Sequence, residues 1–130
     1  MPAFDVWDIV KVPFPYTDRP VRQRRPALVI AAFQPDAAHE LLWLLMITSA
    51  AHRGWPGDIA ISDPAIAGLP VPSIVRPAKL ATIEARAADY LGTLPPSDRR
   101  AVRDYLRGRL VPMLNGGTAG PPLAENERSA

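Results

Sequence analysis

Arginine and hydroxyl side chains stand at the predicted ends of several strands in this chain. Arg25 precedes one apolar run, and Thr48 and Ser49 follow a second. Arg76 closes a third. Guanidinium groups bind phosphate oxygens through paired hydrogen bonds, so two guanidiniums and two hydroxyls on one concave surface would bind and polarise a phosphodiester. Each residue alone also has a structural explanation, because Thr48 and Ser49 can satisfy backbone groups and Arg76 can pair with Glu84.

The loop before the first apolar run is strongly cationic. Residues 19–25 contain four arginines, and fixed positive charges at the start of a strand suit a phosphate-bearing ligand. The alternative is a solvated turn at a sheet edge, where charged side chains discourage pairing with another strand. Taken by itself, the loop favours the solvated turn.

Other chemistries have weaker support in the sequence. The chain has no cysteine, and its two histidines, His39 and His52, lack the spacing of metal ligands. Ser49, His52 and Asp58 form a hydrolase triad only on paper, because no nucleophile turn surrounds Ser49. We therefore expect no metal and no cofactor.

Length and composition limit the architecture and the compartment. A chain of 130 residues, 48% of them hydrophobic, is sufficient for one core but short for two domains. The N-terminus lacks the pattern of a signal peptide, and the apolar run at residues 41–47 is too short to cross a bilayer. We expect a cytoplasmic protein that does not enter a membrane.

Short apolar runs separated by turn residues predict a mainly β fold. The predicted strands cover residues 9–12, 28–32, 41–47, 58–61, 73–76, 80–83 and 90–94. One helical turn is expected at residues 63–69, ending at Gly68. The run at residues 41–47 does not alternate, so Trp43 and Met46 are expected to pack in the core. Many short strands with one late helix favour a small β-barrel or a coiled sheet.

The one long helix is predicted near the C-terminus. We expect Ser97 to cap it, Asp98 to favour its positive end, and Pro112 to terminate it together with residues 115–117. Its polar face carries Arg99, Arg100, Arg103 and Arg107. Residues 115–130 have almost no large apolar side chains and are expected to be a disordered Gly/Pro-rich tail, which leaves residues 1–114 as a single domain.

Seven segments, in order, resemble those of the MazF/PemK family of toxin endoribonucleases from toxin–antitoxin pairs, and in particular its PemK-like branch. They are residues 8–18 (DIVKVPFPYTD), 24–30 (RRPALVI), 47–49 (ITS), 57–59 (GDI), 68–76 (GLPVPSIVR), 79–83 (KLATI) and 90–94 (YLGTL). The resemblance covers about residues 5–110, and only the tail falls outside it. It implies a small SH3-like β-barrel of the CcdB/MazF/Kid type with a C-terminal α-helix, in a homodimer whose groove takes single-stranded RNA.

The same resemblance implies the roles of individual residues. Arg25 matches the catalytic arginine and Thr48 the catalytic hydroxyl, whereas Ser49 and Arg76 match positions that contact the substrate. The expected reaction needs no metal: the RNA 2′-hydroxyl attacks the adjacent phosphorus and leaves a 2′,3′-cyclic phosphate and a 5′-hydroxyl end. Base selection is expected from residues 17–25 and 50–57. The further substrate-binding residues predicted there are Thr17, Arg22, Arg24 and Trp55.

The expected partners follow from the resemblance as well. A type II toxin is neutralised by its cognate antitoxin, here expected to be acidic, to lie in the RNA groove and to neutralise Arg25. The arginine face of the helix would help to hold it, or is simply solvated.

Two departures from the family pattern keep other functions open. Trp7 replaces the usual glycine before the opening aspartate, and Ala78 replaces an acid that some members carry near the fifth-strand arginine. The alternatives are a CcdB-like toxin that binds DNA gyrase without cutting RNA, and a degenerate barrel that binds RNA without cleaving it. His52 lies close to Thr48 in sequence and is a lesser candidate for proton transfer.

Overall fold

The computed structural model describes residues 3–13, 23–52 and 54–116 of the chain. Its six strands are β1 (Asp8–Pro13), β2 (Arg24–Asp36), β3 (His39–Ser49), β4 (Ile59–Ala60), β5 (Ser73–Glu84) and β6 (Asp89–Thr93). Its helices are α1 (Pro64–Ala67) and α2 (Pro96–Leu114), and short 3₁₀ turns occupy Ala50–His52 and Ala85–Ala87. Thr17, Arg22 and nearly all of the predicted tail lie outside the described residues.

All six strands belong to one antiparallel sheet in the order β4-β5-β3-β2-β1-β6. This arrangement confirms the predicted mainly β fold with a C-terminal helix. The sheet is not closed into a barrel, because β4 and β6 lie at opposite edges and the hydrogen bonds of the described strands do not form a ring. Among the described helices, none is both long enough and apolar enough to cross a membrane.

The core occupies both faces of the sheet. Successive residues of a strand point to opposite faces, and neighbouring residues of β1 and β2 accordingly belong to different clusters. Ile9 and Leu28 pack in a cluster that Val102 of α2 covers, whereas Val10 and Ala27 pack in a second cluster that reaches the 3₁₀ turn at Ala85–Ala87. The middle of β2 is buried at both faces, which explains its unbroken apolar run.

The strand β5 is one bent strand, although the sequence predicted two. Met46 of β3 lies opposite Arg76, but the preceding residue, Leu45, lies opposite Leu80. Residues 77–79 are therefore extra residues in the register, and Pro77, which cannot donate a ladder hydrogen bond, sits among them. This irregularity bends β5 and separates the part near β4 from the part that pairs with the middle of β3.

The long helix begins and ends differently from the prediction. Its N-cap is Pro95, and the hydroxyl of Ser97 instead lies 3.1 Å from that of Ser62. Asp98 is in the first turn as expected and is buried. Pro112 lies inside the helix, which continues to Leu114. Because proline has no backbone N–H, the carbonyl of Gly108 lacks the helical hydrogen bond that residue 112 would otherwise donate. Both residues are exposed, so water can solvate that carbonyl.

The prediction that Trp43 packs in the core was wrong. Its side chain is 42% exposed and meets Phe33 edge to face, with ring centroids 5.5 Å apart. Leu44 and Leu45, its neighbours along β3, are fully buried. The apolar run therefore extends past the part of the sheet that the described elements cover.

Candidate active site

A cavity of about 350 Å³ opens where the start of β2, the end of β3 and residues 68–73 meet. The polar and charged side chains that line it include those of Lys11, Arg24, Arg25, Thr48, Ser49 and His52. Part of its apolar lining comes from Ile47, Leu69 and Leu91. The cavity thus combines several positive charges and two hydroxyls with a floor continuous with the core.

The pairing of β2 with β3 brings Arg25 and Thr48 to this cavity. Ala27 lies opposite Met46 in this antiparallel pair. Arg25 lies two residues before Ala27, and Thr48 lies two residues after Met46, so both steps lead toward the same end of the hairpin. Because side chains alternate between faces, residues two apart share a face. The run that the sequence predicted as a strand therefore places Arg25 on the face of Ala27, and Thr48 on that of Met46.

The two consecutive arginines of β2 have different environments. Arg24 makes an ion pair with Asp89 at 2.7 Å and donates to the carbonyls of Lys11 and Ala87, each at 3.0 Å. Arg25 is half-buried, and its Nε is buried without a hydrogen-bond partner. No acid of the described chain forms an ion pair with it. Within the described chain, Arg25 is therefore the arginine of the cavity lining whose charge no acid neutralises, which suits it to binding an anion there.

The hydroxyl residues at the end of β3 lie beside a histidine. Thr48 is buried, and its Oγ1 lies 3.4 Å from Nδ1 of His52. The hydroxyl of Ser49 accepts a hydrogen bond from the backbone N–H of Ala51 at 3.1 Å. This bond ends the strand and starts the 3₁₀ turn that carries His52 back toward Thr48.

Arg76 lies beneath this turn rather than in the cavity. Its Nε and Nη2 donate to the two carboxylate oxygens of Asp58 at 3.1 and 2.9 Å, and Nη2 also donates to the carbonyl of His52 at 2.8 Å. The side chains of Arg76 and Asp58 are 8% and 9% exposed. Hydrogen bonding to Arg76 lowers the pKa of Asp58, and the carboxylate raises the pKa of Arg76. The partner of Arg76 is thus Asp58 and not Glu84, which pairs with Arg86.

Asp58 also fixes the loop that carries Trp55. Its Oδ2 accepts from the backbone N–H groups of Gly54 and Trp55 at 3.2 and 3.1 Å. Two cations lie over the Trp55 ring: Arg76 Cζ is 4.7 Å from the ring centroid, and Lys79 Nζ is 5.1 Å from it. The ring is 44% exposed and lies outside the cavity lining. It forms a fixed aromatic surface beside the cavity.

The structure therefore brings together four of the predicted site residues and separates two. Arg24, Arg25, Thr48 and Ser49 line one cavity, whereas Arg76 and Trp55 do not. Lys11 also lines the cavity and was not predicted as a site residue. Its signal in the sequence is a single charged residue within an otherwise apolar strand. In the described part of the chain, no three histidine or acidic side chains are placed to hold a metal ion.

The sequence matches a family described as PemK-like, MazF-like toxins of type II toxin–antitoxin systems over residues 5–109. No curated protein matches the chain in sequence.

Solved structures resemble this one. A MazE–MazF crystal structure from Deinococcus radiodurans superposes with a TM-score of 0.58 at 26% identity, covering 82% of this chain and 93% of that one. A mycobacterial endoribonuclease in complex with its cognate antitoxin gives a TM-score of 0.61 at 18% identity, covering 92% and 100%. The Mycobacterium tuberculosis toxin MazF-mt6 gives 0.59 at 19% identity, covering 80% and 96%. At 18 and 19% identity, the latter two likenesses concern the fold alone.

Proposed function

Because the chain belongs to the PemK-like, MazF-like toxins of type II toxin–antitoxin systems, a family known as endoribonucleases, we propose that it cuts single-stranded RNA. The proposed products are a 2′,3′-cyclic phosphate and a 5′-hydroxyl end, and the proposed consequence of sequence-specific cleavage is growth inhibition. The observation that carries this proposal is the environment of Arg25. A half-buried guanidinium with an unpartnered Nε lines a cavity together with the hydroxyl of Thr48.

The proposed chemistry depends on positioning and charge. The 2′-hydroxyl of RNA is already tethered beside the phosphorus that it attacks, so the site needs to hold the strand in line rather than supply a nucleophile. Arg25 donates to the non-bridging oxygens, on which negative charge grows in the transition state, and Thr48 donates a further hydrogen bond. One preorganised donor of this kind contributes about 3–4 kcal/mol to transition-state stabilisation.

The remaining site residues have proposed roles in substrate binding. Ser49 and Arg24 line the cavity and contact the backbone of the strand. Thr17 and Arg22, which lie outside the described residues, are proposed to bind the substrate as well. Trp55 stacks on an unpaired base, which favours RNA that is single-stranded at this point. Arg76 is occupied by Asp58 and by the carbonyl of His52, so we assign it to positioning this loop rather than to direct substrate contact.

The proposed partners are a cognate acidic antitoxin and a second copy of the chain. The D. radiodurans MazE–MazF structure and the mycobacterial endoribonuclease structure are complexes with an antitoxin, and an antitoxin that covers the cavity would neutralise Arg25. A homodimer would cover the exposed apolar side chains at the end of α2, Leu110, Met113 and Leu114. We further propose that residues 1–114 form the domain, that residues 115–130 are a tail, and that the protein acts in the cytoplasm without a cofactor.

Incubation of a long single-stranded RNA with the purified chain in EDTA tests the proposal. The chain should produce fragments with 5′-hydroxyl ends, and Arg25→Ala should lower the rate by about 10²–10³-fold. Arg86→Ala is the matched control, because it also removes one positive charge but from an exposed ion pair outside the cavity. A folded chain that cleaves none of several varied RNAs refutes the proposal, and gyrase inhibition by that chain would favour the CcdB-like alternative.

A further inference from the structure

The proposed cleavage leaves one proton without an acceptor. The attacking 2′-hydroxyl must lose its proton as its oxygen bonds to phosphorus. A guanidinium has no acceptor site and is not deprotonated in proteins, and a threonine hydroxyl is a weak base. Arg25 and Thr48 therefore explain charge stabilisation but not proton removal. A side chain that changes its protonation near neutral pH has to be sought among the other residues of the cavity.

His52 is such a residue, and it is the one histidine of the described cavity lining. Imidazole is the side chain whose ordinary titration falls between about pH 5 and 8. We propose that His52 is the catalytic proton acceptor of this site, an assignment that rests on the proposed RNA cleavage. Its side chain is exposed to the cavity, so a ribose hydroxyl can reach it.

His52 is held at its side chain by one contact and at its backbone by another. Its Nδ1 lies 3.4 Å from the Thr48 hydroxyl oxygen, and the backbone carbonyl of His52 accepts from Arg76 at 2.8 Å. The buried pair of Arg76 with Asp58 holds that donor in place. The bond from Ala51 N–H to Ser49 fixes the start of the same turn. A general base needs this kind of fixed orientation, because its reach to the proton decides its efficiency.

The proton transfers balance if neutral His52 is the tautomer that carries its proton on Nδ1. Nδ1–H then donates to Thr48 Oγ1, the Thr48 O–H donates to a phosphoryl oxygen, and the free Nε2 takes the proton of the 2′-hydroxyl. The O2′–P bond forms and the P–O5′ bond breaks. The 5′ oxygen takes a proton from water, and the imidazolium returns its proton to solvent. No oxidant, reductant or metal enters the balance.

The charged groups around His52 are mostly cationic. Lys11 of β1 and Arg24 and Arg25 of β2 line the same cavity, and Arg76 of β5 contacts the turn, where Asp58 offsets its charge. Only an imidazole with a free nitrogen lone pair accepts a proton, so a cleavage rate that depends on His52 should fall on the acid side.

The pH dependence of cleavage tests the assignment. The substrate is a short RNA with the sequence that the unmodified chain cuts, flanked by a fluorophore and a quencher. His52→Gln should lower kcat by about 10²–10⁴-fold and remove the acid limb between about pH 5 and 7. Binding of the same oligonucleotide with 2′-deoxyribose at the cut should stay within about twofold, since the lost interaction belongs to the transition state. Imidazole in the buffer should restore part of the rate of His52→Ala.

The second histidine provides the control. His39 pairs with Asp36 at the far end of the β2–β3 hairpin, nine residues along β3 from Thr48 and thus about 30 Å away. His39→Gln should leave both the rate and the acid limb unchanged.

The possible results separate this assignment from the proposed function. If the unmodified chain cleaves RNA and His52→Gln cleaves within about threefold of it with the same acid limb, the assignment is overturned and the proposed function stands. It is also overturned if His52→Gln is slow but keeps the limb and imidazole does not rescue His52→Ala, because His52 is then structural. A folded chain that cleaves no RNA overturns both.

Discussion

Replacing Asp58 by alanine should destabilise the fold by about 3–5 kcal/mol, because it leaves the buried guanidinium of Arg76 without its counter-ion. The substitution removes two charge-assisted hydrogen bonds, at 2.9 and 3.1 Å, and each such bond contributes about 1.5–3 kcal/mol. It also removes the acceptor of two loop N–H groups, those of Gly54 and Trp55. These groups lie in an exposed loop where water can replace the carboxylate, so they add little.

Urea unfolding at pH 7 measures this loss. For a domain of this size, the same loss should lower Tm by about 10–20 °C. Asp104→Ala is the matched control, since Asp104 pairs with Arg107 at 3.0 Å on an exposed helix face, and such pairs contribute about 0–1 kcal/mol. If Asp58→Ala lowers the free energy of unfolding no more than Asp104→Ala does, the buried pair of Asp58 with Arg76 does not stabilise the fold as we infer.

A double variant separates two contributions to stability: the free-energy cost of leaving one buried charge unpaired, and the net stabilisation by the ion pair itself. Replacing both partners, with Arg76→Met and Asp58→Leu, should leave stability within about 1 kcal/mol of the unmodified chain or raise it, because no buried charge remains unpaired. If the double variant is as unstable as Asp58→Ala, the pair itself and not the stranded charge carries the stability.

The same ion pair predicts a pH dependence. Because Arg76 holds the pKa of Asp58 below its ordinary value of 3.8, protonation of this carboxyl is more costly in the folded chain than in the unfolded one. The stability that it contributes is present above pH 3.8 and is lost as the pH falls through the lowered folded pKa. The difference in unfolding free energy between the unmodified chain and Asp58→Ala should therefore narrow in that acid range. A difference that stays constant there contradicts the direction of the shift.

Two further predictions concern a turn and the aromatic surface. Gly68→Ala should lower the free energy of unfolding by about 2–4 kcal/mol, because Gly68 has φ 75° and an added Cβ would overlap the carbonyl of Leu91. Gly108→Ala is the control: its added Cβ meets open space within α2, so it should raise the free energy of unfolding by about 0.5–1 kcal/mol in the same assay. Trp55→Ala should change stability little but weaken binding of single-stranded RNA by about 1–3 kcal/mol in a fluorescence titration; equal affinity would contradict stacking.

Local signals in the sequence predicted most of the fold. Each predicted apolar run contributes to a strand, two of them to the single strand β5, because its residues are β-branched or leucine-rich and turn residues bound it. The one-turn helix was predicted within residues 63–69, and it forms at Pro64–Ala67, where Asp63 caps it and Gly68 takes the left-handed conformation that ends it. Arg25 and Thr48 were placed at strand ends from the same signals, and the register of β2 with β3 then brought both to one cavity.

Contacts between distant segments decided the rest. No local pattern shows that Arg76 meets Asp58, 18 residues before it, or that the two are buried together. The exposure of Trp43 depends on how much of the sheet the other described elements cover. The start of α2 after Pro95 depends on Asp98, which accepts a hydrogen bond from the backbone N–H of Ser62. Residue types and spacing thus determined which side chains can bind a phosphate. Tertiary packing determined which arginine is paired with an acid of the described chain and which remains for a phosphate.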